Sequence, residues 1–188
     1  PIFNHTYDEF VNIIRGCKSW VDSPDYDAHK ANRALVYFRE NGYHKTDIDI
    51  FTARIPKLLS NYGIQRVNIP NPNIDIEHQM SDKEFQQKLI EIYKKNNDSF
   101  DEEEKEGTIY LDVKSVSAIY KLRKGCIPRS LDECRSIFIT RNTTLAYASK
   151  QFEKATDAID HFYIPTTVTD VFIGTMIWLN NPITSDFQ

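Results

Sequence analysis

Ser136-Ile137-Phe138-Ile139-Thr140-Arg141-Asn142 is the stretch on which the fold reading turns. Its centre is a short continuous apolar run, the pattern of a strand buried on both faces of a parallel sheet. A helix is predicted to start at once, near Asn142 or Thr143, with Leu145, Ala148 and Phe152 facing inward. In open parallel sheets ligands bind at the carboxyl ends of strands, so Thr140, Arg141 and Asn142 stand where a site would form. Asn142 also suits the cap of the following helix, and both readings stay open.

Working back along the chain, a helix is predicted from about residue 108 to 124, ended by Gly125. Its apolar stripe runs through Val116, Ile119 and Tyr120, and Asp112 heads that stripe. A buried carboxylate needs a partner, since an unpaired one is costly enough to neutralise itself. That partner is a metal ion, an arginine or helix-end N–H groups; alternatively, Asp112 is a first-turn residue favoured by the helix dipole.

Further upstream, Thr6-Tyr7-Asp8-Glu9 has a capping-box pattern ahead of Phe10, Ile13, Ile14 and Cys17. A Glu at that position is explained by the cap alone, although Glu9 also lies at the edge of the apolar face. Ser23-Pro24-Asp25 breaks this helix. A second is predicted over 27–40, closed by Asn41-Gly42, and a third opens at Thr46-Asp47, kinks at Pro56 and ends at Gly63. Residues 64–69 look like a short strand, stopped by Pro70-Asn71-Pro72. Ser81-Asp82-Lys83-Glu84 is another capping box, leading a helix with Phe85, Leu89, Ile92 and Tyr93 on one face. The acidic run within 96–107 is predicted to be a solvated loop. Thr169-Asp170 precedes a very apolar helix from Val171 to Leu179. Helices separating short strands predict an α/β class: a helix-rich three-layer fold with a small central parallel sheet.

The 188 residues, 40% of them hydrophobic, suit one domain with one core. Three cysteines without a C-x-x-C pair fit a reducing, cytoplasmic setting and do not suggest structural zinc. No apolar run approaches the roughly 20 residues needed to span a bilayer, so no membrane association is expected. A start at Pro1-Ile2-Phe3, without an initiator Met or a signal-peptide pattern, reads as a piece of a larger polypeptide. The histidines, His161 among them, show no ligand spacing.

A net charge of −4 argues against coating nucleic acid by bulk charge. The charge is uneven, however. Residues 108–154 hold nine Lys or Arg (114, 121, 123, 124, 129, 135, 141, 150, 154) against four acids, a local +5. Such a segment can hold phosphates; a solvated helix end with cations near its C-terminus is the plainer alternative.

Taken together, Leu111-Asp112-Val113-Lys114-Ser115-Val116-Ser117-Ala118-Ile119, Ile137-Phe138-Ile139-Thr140-Arg141-Asn142 and the early Thr6-Tyr7-Asp8-Glu9 helix resemble the PIN-like family of metal-dependent nucleases. The motifs cover about a quarter of the chain and occur in the family's order. The resemblance implies Glu9 and Asp112 as catalytic, metal-site carboxylates for Mg²⁺ or Mn²⁺, with Asn142 and Asp170 as further members of the metal site. It implies that Lys114, Lys121, Arg123, Lys124, Thr140 and Arg141 hold nucleic acid, single-stranded RNA in the first instance. It also implies a setting in a larger bacterial defence or toxin protein. The sequence departs from the family pattern twice. Asn142 stands where an Asp is expected, and the family's first Asp has no match. Three functions follow as expectations: a Mg/Mn-dependent ribonuclease, a catalytically degenerate module that binds nucleic acid or protein, and an interaction domain that docks through its last helix.

Overall fold

The structure, a computed structural model, describes residues 1–70, 78–157, 159 and 162–180. Asn71 and Pro72 of the expected loop, and His161, lie outside the described residues. The chain is a helix-rich α/β protein whose strands form two two-stranded parallel sheets. It divides into two compact units, Pro1–Asn68 and the residues from Ile69 onward.

In the first unit, β1 (Ile2–Phe3) runs straight into α1 (Asn4–Cys17), followed by α2 (Arg33–Glu40), α3 (Lys45–Asn61) and β2 (Arg66–Val67). β2 pairs parallel with β1, Ile2 opposite Arg66 and Phe3 opposite Val67. The core gathers Tyr7, Val11, Ile14 and Cys17 of α1 with Leu35, Phe38, Ile48 and Ile55.

Three expectations for this unit are corrected. The Thr6–Glu9 capping box does not form. Phe3 is the cap residue, no side chain bonds there, and Glu9 is exposed. Pairing of β1 with β2 sets where the chain can turn into the helix, and that entry lies two residues ahead of Thr6. The buried stripe of α1 is correspondingly rotated: Phe10 and Ile13 are exposed, while Tyr7 and Val11 face inward. The second helix begins at Arg33 rather than residue 27, because Asp27 folds back onto the His29 N–H at 2.9 Å and Asn32 caps the Leu35 N–H at 2.9 Å. The third helix does carry a capping box, between His44 and Asp47.

In the second unit, α4 (Asp82–Asn96), α5 (Glu102–Arg123), β3 (Phe138–Thr140), α6 (Thr143–Thr156), β4 (Thr167–Thr169) and α7 (Asp170–Asn180) follow in order. Ser81 caps α4 through the Glu84 N–H, as its capping-box pattern predicts. The core brings together Phe85, Leu89, Ile109, Val113, Val116, Leu145, Ala148 and Phe152 from α4, α5 and α6. Leu145, Ala148 and Phe152 are all buried, in keeping with the inward face read from the sequence.

The acidic run is not the loop that composition suggests. Asp101 caps α5 by accepting the Glu104 N–H at 3.1 Å, and Glu102, Glu103 and Glu104 occupy the first helical turn. There the helix dipole favours negative charge. The far end of α5 closes with Lys124 and Gly125 both at positive φ. A Cβ on Gly125 would stand 3.1 Å from the His78 ring and would sit at positive φ, so a side chain here is strained and crowds that ring.

β3 is shorter and wetter than its apolar run implies. Phe138 and Thr140 are half-buried and Ile139 is 49% exposed. The sequence reading missed its partner β4, a β-branched run that pairs in parallel, placing Thr140 opposite Thr169. None of the described side chains of α7 is buried. No helix among the described residues is long and apolar enough to cross a membrane.

Candidate functional site

The parallel register of β3 and β4 ends both strands at one edge of the second unit, and each strand turns directly into a helix. At the β3 end Thr140 Oγ1 accepts the Asn142 backbone N–H at 3.0 Å, which tightens the turn. Asn142 then caps α6, its amide oxygen accepting the Leu145 N–H at 3.1 Å. With the oxygen committed, the amide nitrogen points the other way. It donates to the Tyr93 hydroxyl of α4 and, at 3.5 Å, to Asp112 Oδ2 of α5.

Asp112, Asn142 and Thr140 therefore lie close together at the carboxyl end of β3. Tyr93 completes the group and was read from sequence only as an apolar-face residue. The available signal was that an inward-facing tyrosine hydroxyl requires a partner. Its ring stacks on Phe100 at 5.1 Å. Burial raises the Tyr93 hydroxyl pKa above its ordinary value and the Asp112 charge adds to that, against a lowering by the Asn142 bond. Tyr93 is thus held as a neutral phenol.

At the β4 end, Asp170 opens α7, accepting the Val171 N–H at 2.9 Å, and its other oxygen lies 3.8 Å from Arg141 Nε. Both partners are well exposed, so the contact is a weak, solvent-screened ion pair. Glu9 belongs to the first unit, exposed on α1.

The expected nucleic-acid residues separate into two groups. Lys114 is half-buried and paired with Asp82 at 2.7 Å, an interaction that raises its pKa. Lys121 is buried, and Arg123 is only 4% exposed. Arg123 is the clearest displacement from the expected phosphate surface. Its guanidinium donates to the carbonyls of Ser136 at 2.9 Å, Ile164 at 2.7 Å and Pro165 at 2.7 Å. It clamps the segments that lead into β3 and β4. By contrast Lys124, Arg129, Arg135, Arg141, Lys150 and Lys154 are exposed. The exposed acids of residues 108–154 are Asp132 and Glu133 alone.

Glu153 of α6 escaped the sequence reading altogether. It is 4% exposed and accepts hydrogen bonds from Ser149 Oγ at 2.7 Å, from the Thr166 hydroxyl and from the Thr166 N–H at 3.1 Å. Burial pushes its carboxyl pKa upward, opposed by these donors and by the Arg123 charge. A small cavity of about 60 Å³ lies beside it, walled by Tyr120, Arg123, Cys126, Asp157 and Tyr163 among others. The polar groups here are largely spent on one another and on backbone, the signature of a structural network.

Mg²⁺ and Mn²⁺ take oxygen ligands, carboxylates foremost. Beside Asp112 the structure offers an amide nitrogen, the Asn142 oxygen is used as a helix cap, and Asp170 is paired with Arg141. Among the described residues no three histidine, cysteine or carboxylate side chains converge to hold a metal. Among the described residues these strand-end donors do not fit a protein-held divalent ion. Comparison with protein-family models, with curated proteins and with solved structures gave no match.

Proposed function

We propose that the second unit is a PIN-like domain whose site at the strand ends has lost its catalytic form, and that it binds single-stranded RNA without cutting it. The observation that carries this reading is the orientation of Asn142. Its amide nitrogen faces Asp112 and its oxygen caps α6, so the position supplies a donor where metal chemistry needs an anionic oxygen. The preference for RNA over a protein partner is supported by the six exposed cations and two exposed acids of residues 108–154. That imbalance favours a polyanion.

Binding of fluorescent single-stranded RNA in EDTA tests the reading. With about four phosphate contacts, affinity should fall about 50-fold between roughly 50 and 200 mM salt. Binding that requires Mg²⁺, or that ignores salt, would overturn it. One observation favours the catalytic alternative: the in-register ends of β3 and β4 set Asp112, Asn142 and Asp170 around one sheet edge. That alternative requires Mn²⁺-dependent cleavage that Asp112→Asn abolishes.

A further inference from the structure

We propose that Cys126 and Cys134 form a reversible disulfide that closes the loop between them. Both thiols are free and partly accessible, whereas Cys17 is buried in the first unit. Cys126 Sγ lies 3.8 Å from the carbonyl oxygen of Glu133, the residue bonded to Cys134. A peptide oxygen is about 2.8 Å from the next Cα by standard backbone geometry, so the Cys126 sulfur lies within about 6.6 Å of the Cys134 Cα. A disulfide needs the two Cα atoms within about 6.8 Å, so closure asks the loop to carry Cys134 toward the Cys126 sulfur.

Local turns fix the backbone at each cysteine, and Glu133 ties the loop across. The Cys126 N–H donates to the Arg123 carbonyl at 3.0 Å, the Cys134 N–H to the Leu131 carbonyl at 3.0 Å, and Glu133 accepts the Arg129 N–H at 2.8 Å. Burial raises the Cys134 thiol pKa above its ordinary value, opposed by the charge of the neighbouring Arg123 guanidinium.

The oxidant is a small-molecule disulfide such as oxidised glutathione. One protein thiolate attacks an oxidant sulfur, breaking its S–S bond and expelling one glutathione thiolate. The second protein thiolate then attacks the mixed disulfide, forming the Cys126–Cys134 bond and expelling the second glutathione thiolate. The protein loses two electrons, the oxidant gains two, and the protons from the protein thiols end on the two released thiols. The closed loop would brace the segment ahead of β4, because the Pro128 carbonyl accepts the Ile164 N–H at 2.8 Å.

The test is to incubate the whole native chain with excess oxidised glutathione, quench with acid, and map the peptides by mass spectrometry. The expected product has lost two hydrogens, carries a 126–134 cross-link, keeps Cys17 reduced and returns to the dithiol with dithiothreitol. Cys126→Ser and Cys134→Ser should each stall as a glutathione adduct on the remaining partner. Wild-type protein that stays reduced, or that accumulates glutathione adducts without the cross-link, would overturn the proposal.

Discussion

Replacing Arg123 with alanine should unfold the second unit far more readily than any change at an exposed cation. The side chain is 4% exposed and gives three hydrogen bonds to carbonyls at 2.7–2.9 Å. A hydrogen bond from a charged donor contributes about 1.5–3 kcal/mol. Three such bonds would sum to at least about 4.5 kcal/mol if they were additive, which neighbouring bonds are not. Leaving three buried carbonyls without their donor costs about 1–3 kcal/mol each before the site relaxes or water enters. The Glu153 carboxyl, whose pKa burial raises, also loses the opposing Arg123 charge. A net loss of about 4 kcal/mol is expected, a large part of a domain's stability. Arg123→Lys should recover only part of it, since one ammonium cannot span three carbonyls in the manner of a planar fork. Urea denaturation followed by circular dichroism reads the effect, with exposed Lys154→Ala as the reference. A loss under about 1 kcal/mol for Arg123→Ala, together with weakened RNA binding, would refute the reasoning and return Arg123 to the phosphate surface.

Other expected outcomes follow from the same geometry. Asn142→Asp keeps the α6 cap but sets a second carboxylate 3.5 Å from Asp112 and removes the donor to Tyr93; stability at neutral pH should fall by about 1–3 kcal/mol and recover in acid. If the altered pair can hold a hard cation, Mn²⁺ should also raise the thermal midpoint of that variant and leave wild type unmoved, which a thermal melt reads directly. Phe85→Ala, at a ring 0% exposed and packed edge-to-face on Phe152 at 5.4 Å, should cost about 3–5 kcal/mol in the same urea assay. His44 carries a pH signature. Its hydrogen bond to Asp22 at 2.8 Å raises its pKa above the ordinary 6.5, so the stability it adds is complete below that value and is lost as pH rises through the folded one. The same contact lowers the Asp22 pKa, adding stability above the ordinary 3.8 that is lost as pH falls through the folded value. NMR titration of the His44 ring should show the raised pKa in wild type and a return toward 6.5 in Asp22→Asn.

Much of the second unit could be read locally because its signals are local. Ser81 and Asn142 announce their helices by capping chemistry, and Leu145, Ala148 and Phe152 recur at helical spacing on a face that is in fact buried. Asp112 and Asn142 were singled out separately, one as a carboxylate on an apolar stripe and the other at a polar turn after a strand, and the Asn142 amide nitrogen lies 3.5 Å from Asp112. What escaped reading depends on distant partners. Lys121-Leu122-Arg123-Lys124 looks like a solvated basic run, yet Arg123 faces carbonyls up to 42 residues away. No local pattern reveals those carbonyls. Glu153 was hidden in the same way, as its donors lie on Ser149 and on Thr166, 13 residues ahead. The acidic stretch was misread because charge composition was weighed without the helix dipole that accommodates Glu102–Glu104 at the start of α5. In α1, strand pairing at Ile2 and Phe3 overrode the stronger-looking cap.

The most direct test is a cleavage assay with end-labelled single-stranded RNA and the whole chain, run in Mn²⁺ and in Mg²⁺ under conditions where binding is saturated. An Asp112–Asn142 pair joined through an amide nitrogen predicts RNA that stays bound and uncut in both ions. Metal-dependent fragments that disappear with Asp112→Asn would contradict that account.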